Sequence, residues 1–213
     1  MYQKLDLPAK LSSNENLKSR PPSLLNALTE IPRTLLDIGA LCLSAPFLAS
    51  MPRGDGHPVM VLPGFMASDQ STAVLRGYLK QLGYDSMGWE LGQNSGRFEI
   101  IHHILIARFL EAVDDCGDKI TLIGQSLGGV YARELARLFP DKVRQVITLG
   151  SPFGVVNGTA ANPLVRSLFE IQSGLSIEEM REAIYEMDPH KTPPVPLTAI
   201  FSNSVSLAST IFF

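Results

Sequence analysis

The segment Gly124 to Gly128 reads Gly-Gln-Ser-Leu-Gly, so a glycine lies two positions before Ser126 and another lies two positions after it. A serine hydroxyl can act as a nucleophile when a sharp strand-to-helix turn projects it from the sheet, and such a turn needs small flanking residues. An apolar run precedes this segment and a helical pattern follows it. The N–H of Leu127, at the helix start, could then stabilise an oxyanion that develops on an attacked carbonyl. The alternative interpretation is a glycine-rich turn without chemistry.

A second loop of matching character follows the apolar run Val59 to Leu62 and begins with Pro63-Gly64. These two residues favour a turn, after which the N–H of Phe65, or alternatively that of Met66, could be the second oxyanion donor. Two such donors on neighbouring loops would stabilise the tetrahedral intermediate of acyl transfer. The alternative is an ordinary turn that ends a strand.

The elements that must position these loops are visible in the apolar pattern. Short continuous apolar runs, which are typical of buried parallel strands, cover Val59–Leu62, Ile120–Ile123, Val143–Leu149 and Leu197–Phe201, with a weaker strand over Asp85–Glu90. Helical spacing predicts helices over Ser71–Leu82, Ile101–Asp115 and Leu127–Phe139. This alternation predicts an α/β fold with a mostly parallel sheet flanked by helices. The carboxyl ends of parallel strands meet at one edge, so we expect the functional loops there.

Three segments together resemble the bacterial lipase and esterase branch of the α/β-hydrolases: Leu62 to Met66, Gly124 to Gly129 and Thr148 to Gly154. The resemblance covers residues 57–201 and implies an α/β-hydrolase fold. It also implies that Ser126 attacks an acyl ester, that a histidine shuttles the proton, and that an acidic residue orients the histidine. It implies no metal and no organic cofactor.

The triad partners are missing from their usual places. In the family the acid follows the penultimate strand and the histidine comes later, whereas here no carboxylate follows Asp188. We therefore expect a C-terminally truncated core without the final strand and helix, and a catalytically crippled chain. The alternative is an inactive relic or a non-catalytic binding protein. The four histidines are not expected to replace the missing base; they are His57, His102, His103 and His190.

Domain organisation is predicted as a tail with docking helices over residues 1–56, and a hydrolase core over residues 57–213. Residues 155–188 are predicted to insert a helical cap, either as a lid that favours an apolar acyl chain or as an extra packing layer. The apolar stretch over residues 38–51 is expected to dock on the core, with peripheral membrane contact as the alternative.

The net charge and the composition limit the classes of partner that we expect this protein to bind. The net charge of −3 is scattered along the chain, so nucleic acid is not an expected partner. The expected partner is a small-molecule or lipid acyl substrate. The N-terminus has no pattern of a secretory signal, which favours a cytoplasmic location. Oligomeric state is not predicted.

Overall fold

A central sheet of five parallel strands organises the protein. The computed structural model describes residues 43–44, 46–151 and 192–200. The strand order is β2-β1-β3-β4-β5, and the strands are β1 (Pro58–Leu62), β2 (Asp85–Gly88), β3 (Ile120–Gln125), β4 (Val143–Leu149) and β5 (Leu197–Ile200). Every neighbouring pair is parallel. The predicted α/β class with a parallel sheet is confirmed, and all five carboxyl ends lie at one edge.

Three helices connect the first four strands: α1 (Ala73–Gln81), α2 (Phe98–Cys116) and α3 (Leu127–Leu138). Helix α2 is followed by Gly117, whose φ of 66° is the left-handed conformation that commonly closes a helix. Helix α3 ends at Leu138, shortly before Pro140, because proline disfavours helical backbone in the residue that precedes it. The predicted helices therefore occur where the sequence pattern places them.

The sheet buries apolar side chains on both faces, which is why its strands are continuous apolar runs rather than alternating ones. On one face Met60 and Leu122 pack with Phe109 of α2 and Tyr131 of α3 in the main core. On the other face a smaller cluster contains Val59, Val61 and Ile123, with side chains of α1 against it. Successive residues of β1 thus point to opposite faces, as strand geometry requires.

Strand β2 is shorter than predicted. The sequence favoured a strand over Asp85–Glu90, whereas the strand ends at Gly88. The cause is Asp69, whose two carboxylate oxygens accept hydrogen bonds from the backbone N–H groups of Trp89 at 3.0 Å and Glu90 at 2.9 Å. Glu90 also has a φ of 63°, so the chain turns away from the sheet at this point.

The predicted cap over residues 155–188 lies outside the described residues, as does most of the predicted tail. Residues 46–49 are helical, and the hydroxyl of Tyr78 in α1 donates to the carbonyl of Leu48 at 3.1 Å. Across the described ranges, no helix has both the length and the apolar character needed to cross a membrane.

Candidate active site

Ser126 occupies a bend between β3, which ends at Gln125, and α3, which begins at Leu127. Its φ is 48° and its ψ is −118°. Positive φ is uncommon for a residue with a side chain, and such backbone strain is found mostly where a function requires it. The bend at Ser126 has the geometry of a nucleophile elbow. The serine is half-buried at the carboxyl edge of the sheet, as the motif predicted.

The two flanking glycines are required by close backbone contacts. A methyl group on Gly124 would overlap the backbone of Gly128 and Gly129, which begin the helix after the elbow. A methyl group on Gly128 would overlap the carbonyl oxygens of Leu62 and Pro63 at the end of β1. Glycine at these positions therefore lets α3 approach both its own strand and the neighbouring loop.

Strand β4 supports the elbow from the other side. The N–H of Ser126 donates to the carbonyl of Leu149 at 2.9 Å, and its own carbonyl accepts from the N–H of Gly129 at 3.0 Å. The hydroxyl of Ser151, just beyond β4, lies 3.5 Å from the carbonyl of Gly124. Because both backbone groups of Ser126 are held in this way, the orientation of its side chain is set by β4 and α3 together.

The loop after β1 lies directly beside Ser126. A methyl group built on Gly64 would come within 3.3 Å of Cβ of Ser126, so the two backbones approach closely. The N–H of Met66 already donates to the carbonyl of Asn94 at 2.7 Å. This contact occupies the N–H of Met66, and Phe65 is half-buried against the main core. Its role, like that of Leu127, stays a prediction.

Leu127 is the first residue of α3, and it is buried. The first N–H groups of an α-helix have no acceptor inside the helix, and they carry the positive end of the helix dipole. An oxyanion formed beside Ser126 would therefore meet a favourable potential. Burial in the core below the elbow raises the pKa of the Tyr131 phenol, which stays neutral there.

Sequence reasoning missed Asn94 as a functional candidate. Its side chain is fully buried, and its Nδ2 donates to the carbonyl of Pro63 at 3.0 Å. The pattern Gly-Gln-Asn-Ser-Gly over residues 92–96 marked only a loop, because the partners of the asparagine are far away in sequence. Asp69, in contrast, accepts its hydrogen bonds from the loop after β2.

The three described histidines lie at different places in the fold. His57 precedes β1 at the opposite edge of the sheet, where its Nδ1 contacts the Asp55 carboxylate and its Nε2 lies 2.9 Å from the Thr121 hydroxyl. His57 therefore packs at the amino edge of the sheet, whereas Ser126 lies at the carboxyl edge. His102 lies 3.8 Å from the Glu134 carboxylate. Glu134 itself lies about 12 Å beyond Ser126 along the axis of α3. His103 is exposed, and His190 lies outside the described residues.

Metal binding has no support in this part of the chain. Among the described residues, no group of three or more histidine, cysteine or acidic side chains is arranged to hold a metal ion.

Comparison with family models and with curated proteins gives no match. The solved structures with a similar backbone include the metagenome-derived lipolytic enzymes LipS and LipT, with a TM-score of 0.39 and 18% identity over 47% of this chain and 44% of that one. A mature-form lipase of Bacillus licheniformis has a TM-score of 0.43 and 17% identity, over 70% of this chain and 67% of the other. An α/β-hydrolase from a Mar Chica lagoon sediment metagenome has a TM-score of 0.42 and 18% identity, over 71% and 83%.

The match with the lipolytic enzymes thus spans less than half of their length. The similarities concern the arrangement of strands and helices, and each is partial. The assignment of chemistry to this protein consequently depends on the geometry around Ser126.

Proposed function

We propose that this protein is a serine hydrolase of the esterase or lipase type that acts on an acyl ester. The observation that supports the proposal is the positive φ of 48° at Ser126, at a strand-to-helix bend beside Gly64. A serine held in this way presents its hydroxyl to a substrate rather than to the core. The expected substrate is a small-molecule or lipid ester.

The reaction would proceed by two acyl transfers. Oγ of Ser126 attacks the ester carbonyl carbon while its proton passes to a base, and the negative oxygen is held by the N–H groups of Leu127 and Phe65. The alcohol leaves with a proton, and water then hydrolyses the acyl-enzyme to a carboxylic acid and free Ser126. The base and its acidic partner are not assigned among the described residues.

A second candidate is a catalytically crippled hydrolase or a non-catalytic binding protein. It is favoured by the positions of His57, His102 and His103, which lie at the opposite edge, beside Glu134 and on an exposed helix face. In a characterised serine protease, loss of the serine or histidine of the triad lowers turnover by about 2 × 10⁶. A chain without a base would keep the elbow and bind acyl compounds without turning them over.

Hydrolysis of a p-nitrophenyl ester series, from acetate to decanoate, tests the first candidate against the second. A serine hydrolase gives turnover that disappears in Ser126→Ala, whereas Ser50→Ala, which changes an exposed serine ahead of β1, retains it. Turnover that survives in Ser126→Ala would contradict the proposal. A folded wild-type chain that binds the esters without hydrolysis would favour the second candidate.

A further inference from the structure

Asn94 has the features of a residue built to hold the oxyanion loop, which we define as residues 63–67. Its side chain is 0% exposed, although an amide is costly to bury unless its donors and acceptors are paired. The loop that contains it follows β2, and the oxyanion loop follows β1. These strands are neighbours, so both loops lie at the carboxyl edge where Ser126 is found.

The backbone of Asn94 pairs with the oxyanion loop in both directions. The N–H of Met66 donates to the carbonyl of Asn94 at 2.7 Å, and the N–H of Asn94 donates to the carbonyl of Ala67 at 2.8 Å. Met66 has a φ of 59°, so these two bonds hold a backbone conformation that is unfavourable by itself. Neither bond uses the Asn94 side chain.

The side chain adds a contact that the backbone cannot provide. Nδ2 donates to the carbonyl of Pro63 at 3.0 Å, while Oδ1 accepts from the N–H of Gly96 at 3.2 Å and faces the hydroxyl of Tyr131 at 3.5 Å. Tyr131 is itself buried in α3, one helical turn beyond the elbow. The amide therefore links the oxyanion loop to the helix that carries the nucleophile.

The Pro63 carbonyl is a sensitive point for the site. It lies against Gly128 of the elbow on one side and accepts from Asn94 on another. Its direction fixes the Pro63–Gly64 peptide plane, and the next peptide plane carries the N–H of Phe65. A small rotation at Pro63 would consequently move the Phe65 donor relative to Ser126.

We infer that Asn94 is a positioning residue for acyl transfer, whose amide sets the distance between the Phe65 N–H and the Ser126 hydroxyl. The inference rests on the proposed function and adds a residue that touches neither substrate nor reacting atoms. Oxyanion donors act only when they already point to where charge develops, so a displaced donor slows the reaction more than it weakens substrate binding.

Three variants of the full chain test the inference. Asn94→Ala removes the whole amide. Asn94→Asp keeps the volume and the acceptor for Gly96, but it replaces the donor to Pro63. Ile120→Val is the control, because it trims a fully buried side chain at the amino end of β3 and leaves the carboxyl edge intact. If Asn94→Ala does not fold, Asn94→Asp serves in its place.

The measurements are the second-order rate of Ser126 phosphonylation by an alkyl fluorophosphonate, and amide hydrogen exchange at Met66 and Ala67. Both Asn94 variants are expected to be phosphonylated about 10- to 100-fold more slowly, which is the size of effect that misplacement of a reacting group produces. Exchange at Met66 and Ala67 should be faster in both variants. Ile120→Val should match wild type in both measurements, even if its melting temperature is lower.

The outcomes separate this inference from the proposed function. A wild-type rate of phosphonylation in a folded Asn94 variant would overturn the inference, whatever the exchange data show. If wild-type protein is not phosphonylated at all, the proposed function fails, and exchange alone then decides whether Asn94 holds the loop. Unchanged exchange at Met66 and Ala67 in that case would overturn the inference as well.

Discussion

The two edges of the sheet carry similar chemical groups in different settings. At the amino edge, His57 contacts the Asp55 carboxylate through Nδ1 and lies 2.9 Å from the Thr121 hydroxyl through Nε2. This is the order carboxylate, imidazole, hydroxyl that serine hydrolases use. At the carboxyl edge, no described histidine is hydrogen-bonded to Ser126, yet the backbone of this serine is held at a positive φ of 48°.

The hydroxyl groups at the two edges differ in whether a substrate can reach them. Thr121 is 2% exposed and lies inside β3, so no acyl substrate can reach its hydroxyl. Ser126 is half-buried on a bend, with glycines on both sides that let neighbouring backbones approach. A hydrogen-bonded set of catalytic residue types is therefore a poor indicator of a site by itself. The strained and accessible position is the better indicator, even where the partners are incomplete.

Gly128→Ala should give the largest effect on stability. The added methyl would overlap the carbonyl oxygens of Leu62 and Pro63, and backbone atoms cannot move aside as a side chain can. We expect the free energy of unfolding, measured by urea denaturation, to fall by about 3 kcal/mol. Gly77→Ala is the matched control, since it lies in α1 with no atom within 4 Å of the added methyl. It should raise stability by about 0.5–1 kcal/mol.

A Gly128→Ala variant as stable as wild type would mean that the elbow and the loop after β1 do not approach each other closely. The contrast between the two edges of the sheet would then no longer rest on a close backbone contact at the carboxyl edge.

His57→Ala should affect stability without affecting the carboxyl edge. The imidazole is largely buried and partners Thr121, so its removal leaves a buried hydroxyl without that bond. We expect a loss of about 1–3 kcal/mol in the free energy of unfolding. The rate of fluorophosphonate labelling at Ser126 should stay within about twofold of wild type, because the two sites lie at opposite ends of β3. A large fall in labelling of the folded variant would instead assign His57 a part in the reaction.

Asp55 should give the smallest effect, visible only in acid. Hydrogen bonds from the side chain and then the backbone of His57 hold the pKa of its carboxyl below the ordinary value of 3.8. Because the folded-state pKa is the lower one, this contribution is fully present above about pH 4 and is lost as the pH falls through the folded-state value. Asp55→Asn should therefore make stability less dependent on pH in this range, in urea titrations at several acidic pH values. Identical acid dependence in both proteins would exclude the coupling.

The sheet could be predicted well because its central strands β1 and β3 are buried on both faces. Strand β4 spans Val143–Leu149, the same residues that the apolar run indicated. Strand β2 could not be bounded, because Asp69, about 20 residues earlier in the chain, captures the N–H groups that would have continued it. Local pattern predicts burial, whereas hydrogen bonds between distant loops are set only by the tertiary structure.

The candidate site likewise contains residues that the local sequence pattern predicts and residues that only the tertiary structure reveals. Ser126 could be found because glycines flank it within five residues, and its loop lies where parallel strands end. Asn94 could not be found, because its partners Pro63 and Tyr131 are 31 and 37 residues away. The hydrogen bond from the Met66 N–H to the Asn94 carbonyl likewise joins loops that are far apart in sequence.

Peptide mapping after fluorophosphonate labelling tests the central claim most directly. Folded wild-type protein should carry one phosphonyl group, on the peptide that contains Ser126. Ser126→Ala should remain unlabelled under the same conditions, while Thr121→Val should be labelled like wild type. Label on any other hydroxyl, or no label on folded wild-type protein, would contradict the claim that the strained bend at the carboxyl edge presents a working nucleophile.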